Sequence, residues 1–167
     1  MRMFETTIAG LVLVPLTKRH ALELYQLVQQ NHRHLTAHGD YKDLVAMPLE
    51  GLSTELAEST DGHLRFGIFQ WGQLVGRIDL IAADPPRYGL GYWLAQNSTG
   101  RGYATAALKT LIEFASTELR ASDIFAGVTH GNSRSAAVLE RAGFMPVETF
   151  ERYTRFRRIL VDVQDPR

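Results

Sequence analysis

The chain has 167 residues, of which 45% are apolar and 22% charged, as expected for one globular domain large enough to bury a core. Its 18 Lys and Arg residues balance its 18 Asp and Glu residues, so no overall charge draws it to nucleic acid or anionic membranes. It contains no cysteine, which excludes disulfides, thiolate metal ligands and a thiol nucleophile. The first residues lack a secretion signal and no apolar run is long enough to span a bilayer, so we expect a cytoplasmic protein.

The first third of the chain predicts one strand and two helices. Leu11–Val14 is an apolar strand, and Thr17 is a suitable N-cap for a helix over Lys18–Gln30. The polar stretch Asn31–Asp40 is expected to be irregular. A second, weaker helix is predicted over Leu49–Ser59.

The middle of the chain predicts three consecutive strands and a long helix. Leu64–Gln70 and Leu74–Ala82 are joined by a short hairpin connection, Trp71-Gly72. After a proline turn comes the strand Tyr88–Leu94. Apolar residues at three- and four-residue spacing then indicate a helix over Gly102–Leu119.

The remaining residues predict a strand, a helix and a closing pair of strands. Asp123–Thr129 is mostly apolar, and Asn132 caps a helix that runs to Ala142 before Gly143. The closing strands are Met145–Phe150 and Phe156–Val163. This order predicts a mixed α/β sheet with helices on both faces.

The polar turn before the long helix is the first candidate site. Gly100-Arg-Gly102 lies where a helix leaves amide groups unpaired, and glycines allow a bound group to approach the backbone closely. The pattern favours an anion cradle for a phosphate or pyrophosphate, although an ordinary strand–turn–helix connection would use the same residues. It lacks the third glycine and the acidic partner of a Rossmann site, and it lacks the Gly-Lys-Ser/Thr of a P-loop.

Four further segments are distinctive: Gly91-Tyr-Trp-Leu94, Thr99-Gly-Arg-Gly-Tyr-Ala104, Asn132-Ser-Arg-Ser135 and Leu139-Glu-Arg-Ala-Gly-Phe144. In this order they resemble the GNAT superfamily of N-acetyltransferases, and among its members the Rim-type enzymes that acetylate ribosomal-protein N-termini. The resemblance implies a single domain over residues 1–167. Its fold would be a mostly antiparallel, splayed sheet of six to seven strands with helices on both faces.

The resemblance also implies acetyl-CoA as co-substrate. The family's phosphate motif, Arg/Gln-x-x-Gly-x-Gly/Ala, falls on Thr99 to Ala104, with Thr99 departing from the usual Arg or Gln. Arg101 could add charge at the phosphates or be a solvated side chain. The residues expected to contact acetyl-CoA are Tyr92, Trp93, Leu94, Thr99, Gly100, Arg101, Gly102, Tyr103, Ala104, Thr105, Asn132 and Ser135.

By the same resemblance, Asn132 and Ser135 flank the sulfur end of acetyl-CoA, and Ser135 protonates the departing thiolate. Their simpler interpretation is a helix N-cap and a first-turn serine. Tyr153 is the alternative proton donor, because a tyrosine fills this role in many members of the superfamily.

The general base is less clear, since many Rim-type sequences carry an acidic residue at the position of Gly89. Asp79 is the leading replacement, because a carboxylate in the middle of an apolar strand needs a purpose or a partner. Arg77 lies two residues away on the same strand face and could pair with it. Glu148 and Glu151 are weaker candidates and more typical of surface charges.

Three histidines, His32, His34 and His38, fit no metal-ligand spacing, so no metal is expected. The resemblance places their loop beside the acceptor pocket, where Arg33 or His34 could contact substrate. A solvated loop is the simpler interpretation.

We therefore expect direct transfer of acetyl from acetyl-CoA to a primary amine, without an acyl-enzyme. The N-terminal α-amine of a protein or peptide is the first acceptor to consider, followed by a small amine such as an antibiotic or peptide natural product. A non-catalytic acyl-CoA-binding domain is the alternative of another class, while nothing basic and aromatic-rich supports nucleic-acid binding. A monomer or homodimer is expected, with no membrane partner.

Overall fold

The structure, a computed structural model, describes residues 2–58 and 62–160. The strands within these ranges are β1 Phe4–Glu5, β2 Leu11–Pro15, β3 His63–Gln70, β4 Gln73–Asp84, β5 Arg87–Leu94, β6 Asp123–Thr129, β7 Met145–Thr149 and β8 Tyr153–Ile159. The α-helices are α1 Ala21–Gln30, α2 His32–Leu35, α3 Lys42–Ala46, α4 Leu49–Ala57, α5 Tyr103–Thr117 and α6 Ser133–Arg141. Single 3-10 turns cover Lys18–His20 and Gln96–Ser98.

The strands form one mixed sheet in the order β1-β2-β3-β4-β5-β6-β8-β7. Neighbouring strands are antiparallel except β5 and β6, which are parallel. β5 and β6 pair only where Arg87–Gly89 lies beside Asp123–Phe125. Beyond this point the two strands separate toward their carboxyl ends, so the predicted splay of the sheet is confirmed.

Helices cover both faces of the sheet, as the order of elements predicted. On one face, α5 and α6 pack with the inner side chains of the strands, where Leu108, Leu111 and Ile78 are fully buried. On the other face, a second core includes Leu24 from α1, Leu52 from α4 and Trp93 from β5. Alternation along β4 sends Ile78 and Leu80 to the first face.

The structure corrects three details of the sequence-based expectation. The sheet has eight strands rather than six to seven, because the two-residue β1 pairs with β2 and is too short to leave a periodic signal. The Asn31–Asp40 stretch is not wholly irregular, since it contains α2, and α3 was not predicted at all. Helices of four or five residues carry too few turns to establish a 3.6-residue period.

The final strand also differs from its prediction. β8 begins at Tyr153, three residues before Phe156, and ends at Ile159. It pairs along its full length with β6, and this pairing sets its start. Val161–Val163, like Ser59 at the end of the second predicted helix, lies outside the described residues. Across the part of the chain that is described, no helix is long and apolar enough to cross a membrane.

Candidate functional site

The separation of β5 from β6 opens a cleft of about 1140 Å³ that passes through the sheet. Residues from both helical layers line it. Ala104, Arg134 and Ser135 lie on the α5–α6 side, and His34 and Asp40 lie on the α1–α4 side. The cleft therefore has two entrances, one on each face of the sheet.

The entrance on the α5–α6 side is built from backbone. Gly100 and Gly102 line it with positive φ angles of 75° and 80°, in the left-handed region that favours glycine. A Cβ at Gly100 would meet no atom within 4 Å, and one at Gly102 would meet only Ile8 Cδ1 at 4.0 Å. Gly102 is the N-cap of α5, so the first amides of that helix face open space that an anion can fill.

Three cations line the same entrance. Lys109 comes from α5, and Arg134 and Arg141 come from α6. Arg134 and Arg141 are seven residues apart, which places them on one helix face. A diphosphate bound at the glycine turn would lie in a positive field.

At the centre of the cleft, Tyr92 of β5 meets Ser135 of α6. The two hydroxyl oxygens are 2.7 Å apart, and the Tyr92 hydroxyl also lies 3.3 Å from the Ser135 carbonyl oxygen. The Asn132 side chain accepts a hydrogen bond from the Ser135 amide at 3.2 Å, which confirms the predicted N-cap. The Ser135 side chain is thereby held beside the gap between the strands.

Burial raises the pKa of the Tyr92 phenol, and its hydrogen bond with Ser135 acts in the opposite direction but does not cancel the shift. Tyr92 is therefore a neutral hydroxyl at neutral pH. When it donates to Ser135, the Ser135 proton is free to point into the cleft.

The entrance on the α1–α4 side is bordered by one segment, residues 31–41. His34 Nε2 lies 3.1 Å from the Leu94 carbonyl oxygen, and the Tyr41 hydroxyl donates to the Tyr92 carbonyl oxygen at 2.8 Å. Asn31 Oδ1 accepts from the Gln96 amide at 2.9 Å. Side chains of the segment thus satisfy carbonyl groups of β5 where β6 is too far away to do so.

Tyr41 adopts a strained backbone in this segment, with φ of 62°. Burial of its hydroxyl, together with the negative charge of Asp40, raises its pKa. The bond to Tyr92 therefore persists through the neutral range, and it helps to offset the backbone strain.

Asp40 is the carboxylate of this entrance. It is half-buried, lines the cleft and accepts from the Thr129 hydroxyl, with both carboxylate oxygens at 2.8 Å. Thr129 ends β6, so this contact ties the segment to the strand on the far side of the gap.

Asp79 lies in an ion-pair cluster instead of the cleft lining. Arg77 Nε donates to Asp79 Oδ1 at 2.9 Å, and His63 Nε2 lies 2.9 Å from Asp79 Oδ2. Arg77 is buried and also pairs with Glu55 of α4. The geometry fits the Arg77–Asp79 pairing that the sequence left open, and the catalytic role of Asp79 stays a prediction.

Most of the predicted cofactor residues come together in the cleft. Its lining includes Tyr92, Trp93, Leu94, Thr99, Gly100, Gly102, Ala104, Thr105, Asn132 and Ser135, together with His34 from the predicted acceptor residues. Arg101 is exposed and its Nε lies 3.3 Å from the Asn97 carbonyl oxygen. Like Arg101, both Tyr103 and Arg33 lie outside this lining, so their predicted contacts stay predictions.

Tyr153, the alternative proton donor, lies on the sheet face that α1 and α4 cover. Its ring stacks on Phe150 with centroids 4.7 Å apart, and it packs over Gly127. Tyr153 is not among the cleft residues, so its catalytic role also stays a prediction.

Sequence reasoning missed several residues of the cleft. The spacing of Arg134 and Arg141 could have revealed the cationic helix face. Asp40 and Tyr41 left no local signal, because their partners are 89 and 51 residues away along the chain.

Comparisons with known proteins agree with this architecture. The family model described as an acetyltransferase (GNAT) domain matches residues 10–145. The putative ribosomal N-acetyltransferase YdaF of Bacillus subtilis (strain 168) is 37% identical over 81 residues, which are 47% of this chain and 44% of YdaF. The match therefore spans less than half the length of that curated relative.

Two solved structures share the fold over nearly the whole chain. RimL, a ribosomal L7/L12 α-N-protein acetyltransferase in complex with coenzyme A, has a TM-score of 0.84 at 17% identity, covering 95% of this chain and 98% of RimL. The microcin C7 self-immunity acetyltransferase MccE, in complex with acetyl-CoA and AMP, has a TM-score of 0.77 at 19% identity, covering 91% and 93%. With the family model matching most of its length, the chain belongs to the GNAT family of acetyltransferases, whose co-substrate is acetyl-CoA.

Proposed function

We propose that the protein transfers acetyl from acetyl-CoA to the N-terminal α-amine of a protein or peptide by direct attack. The observation that carries this proposal is the continuous cleft through the β5–β6 gap. It offers a phosphate cradle on one face, a hydroxyl pair at the centre and a carboxylate on the other face. A thioester held in the gap would be open to an amine from the opposite side, so no acyl-enzyme is needed.

Each part of the cleft has a chemical task in this reaction. The glycine turn and α5 amides hold the diphosphate, while Lys109, Arg134 and Arg141 neutralise it. Backbone amides of β5 that face the gap beyond Gly89 have no partner on β6 and can donate to the developing oxyanion. Ser135, backed by Tyr92, gives its proton to the thiolate as the C–S bond breaks.

The acceptor class is supported by the nature of the relatives. YdaF and RimL carry names that refer to ribosomal or ribosomal-protein acetylation, and YdaF is similar in sequence over part of the chain. A small amine is the second candidate, because MccE, a self-immunity acetyltransferase, shares the fold with AMP bound beside acetyl-CoA. Two departures from the family pattern, Thr99 and Gly89, support the third candidate, a domain that binds acyl-CoA without turnover.

Two measurements on the purified protein test the proposal in sequence. Acetyl-CoA at 100 times its dissociation constant should stabilise the fold by about 2.7 kcal/mol and raise the unfolding midpoint, whereas ATP and NAD should not. Release of CoA thiol is then followed with peptides that begin with Ala or Ser and with small amines. The chain has no cysteine, so a thiol reagent reports CoA alone.

The outcomes separate the three candidates. Fastest turnover of peptides supports α-amine acetylation, and fastest turnover of small amines supports the second candidate. Stabilisation by acetyl-CoA without turnover of any amine would leave only the non-catalytic domain.

A further inference from the structure

The Asp40 carboxylate is placed to receive a cation that the chain does not supply. Its only hydrogen-bond donor among the described residues is the neutral Thr129 hydroxyl. Across the same residues, it forms no ion pair with a Lys, Arg or His nitrogen. A half-buried carboxylate with unused lone pairs has a strong capacity for a further, charge-assisted hydrogen bond.

The contrast with Asp79 makes this capacity specific to Asp40. Asp79 is paired with both Arg77 and His63, so its oxygens are already occupied by strong donors. Asp79 also lies outside the cleft lining, whereas Asp40 lies within it. Of the two carboxylates, Asp40 is the one with room and charge for a ligand.

The position of Asp40 matches the path of an amine toward the β5–β6 gap. Its partner Thr129 ends β6 on one side of the gap. The next residue, Tyr41, donates to the Tyr92 carbonyl oxygen on the other side. The side chain of Tyr92 meets Ser135 on the opposite face, so Asp40 and Ser135 border the gap from its two faces.

On this face of β5, two positions near the gap are glycines and place no side chain in this approach. Gly91 lines the cleft, and a Cβ there would meet no atom within 4 Å. Gly89, on the same face of the strand, would bring a Cβ only to 3.7 Å from Ile81. Gly91 therefore leaves open space in the cleft that an acceptor can occupy.

We infer that Asp40 binds the acceptor as its ammonium ion and takes up the proton that the nitrogen must lose before it can attack. This inference rests on the proposed acetyltransferase function and assigns its acceptor subsite. Asp40 first takes one proton from the bound ammonium ion, which frees the nitrogen lone pair for attack. As the N–C bond forms at the thioester carbonyl, the second proton of the nitrogen passes to water. As the C–S bond breaks, the Ser135 hydroxyl proton passes to the thiolate, and both side chains then re-equilibrate with solvent.

The inference predicts selectivity for basic primary amines. An ammonium group gains a charge-assisted hydrogen bond to Asp40, whereas an equally nucleophilic group that is neutral at pH 7 gains much less. An aminooxy group is a suitable neutral probe, because its conjugate acid is a stronger acid than an alkylammonium ion.

The test compares Asp40→Asn with two matched variants. Asn retains an oxygen that can accept from Thr129 but removes the negative charge. Asp43→Asn makes the same charge change at an exposed position of α3, three residues away. Thr129→Val removes the hydroxyl that ties Asp40 to β6 and leaves the carboxylate in place. Each variant is assayed at pH 7 with the amine that the wild type acetylates fastest and with its aminooxy counterpart.

The expected result is a fall of about 100-fold in kcat/KM for the amine in Asp40→Asn, with a fall of only about threefold for the aminooxy compound. Asp43→Asn should match the wild type, and Thr129→Val should fall between them. Acetyl-CoA should raise the unfolding midpoint of Asp40→Asn by as much as that of the wild type.

Three outcomes would overturn the inference. These are full activity in Asp40→Asn, an equal loss with both acceptors, and a loss in Thr129→Val as large as that in Asp40→Asn. The last two would make Asp40 an anchor of the 31–41 segment. A wild-type protein that binds acetyl-CoA but acetylates no amine would instead refute the proposed function.

Discussion

The two entrances of the cleft are built by different means. The proposed acetyl-CoA entrance is made by a glycine turn that leads directly into the first amides of α5, beside a cationic face on α6. The acceptor entrance is made by side chains of the 31–41 segment that reach strands 51 to 89 residues away. Backbone amides bind an anion whatever side chains surround them, so the first entrance can keep its ligand while the sequence changes. The second entrance depends on particular side chains, so its substrate can change when they are substituted.

The two entrances also differ in charge. Lys109, Arg134 and Arg141 give the first a positive field, and Asp40 gives the second a negative group. A polyanionic co-substrate and a cationic acceptor would each be attracted to its own face of the sheet. Substitutions at one entrance should therefore change the binding of one substrate and leave the other unaffected.

The largest loss of activity is expected from a substitution at the centre of the cleft, between the two entrances. Ser135→Ala should lower kcat about 100-fold, because the thiolate would leave without a proton donor. The dissociation constant of acetyl-CoA should change little, because Ala leaves the cradle and the Asn132 cap of α6 in place. Initial rates and thermal shifts measure the two quantities.

Ser133→Ala is the matched control, since Ser133 is an exposed serine in the same helical turn. It should behave as the wild type. Full activity in Ser135→Ala would transfer the proton-donor role to another group, of which Tyr153 is the first to test.

At the acetyl-CoA entrance, Gly102→Val should raise the dissociation constant of acetyl-CoA at least about tenfold. The added side chain would occupy the open space where the phosphates are proposed to lie. The KM of the amine should stay within about twofold if the two entrances act separately.

Backbone strain must be separated from this effect, because Gly102 has a φ of 80°. Gly72→Val is matched to it, since Gly72 has a φ of 82°, open space around a Cβ and a position in a distant hairpin turn. Both variants should lose similar stability without ligand. Equal acetyl-CoA affinity in the two variants would remove the cradle from the site.

The difference between local features and contacts distant along the chain also explains which parts of the site could be predicted from the sequence. Asn132, Gly143 and the α5–α6 region were predictable because caps, glycine turns and apolar periods act over a few residues. The splay of the sheet followed from family resemblance. Asp40 could not be found, because its place in the cleft arises from a contact with Thr129 across the fold, and the short helices around it have no period to detect.

Asp79→Asn tests whether Asp79 or Asp40 is the base on the acceptor side of the cleft. We expect the free energy of unfolding to fall by about 1.5–3 kcal/mol, because buried Arg77 would lose one of its two charged partners among the described residues and keep Glu55. We expect kcat to change less than about threefold, because the cleft lining stays intact. Denaturant unfolding and amine turnover between pH 6 and 9 test both. A large loss of turnover with unchanged stability would support Asp79 as the base and weaken the case for Asp40.

The smallest expected change in stability concerns the hydrogen bond between the 31–41 segment and β5. Tyr41→Phe removes the bond to the Tyr92 carbonyl oxygen and should cost about 1 kcal/mol at pH 8. Burial, reinforced by Asp40, raises the pKa of Tyr41 in the folded state. Its contribution is therefore complete below the unfolded pKa, about 10, and is lost as the pH rises toward the folded value. Unfolding midpoints of the wild type and Tyr41→Phe, measured from pH 8 to 11, should consequently converge. Parallel curves would mean that Tyr41 ionises alike in both states and does not fasten the acceptor entrance.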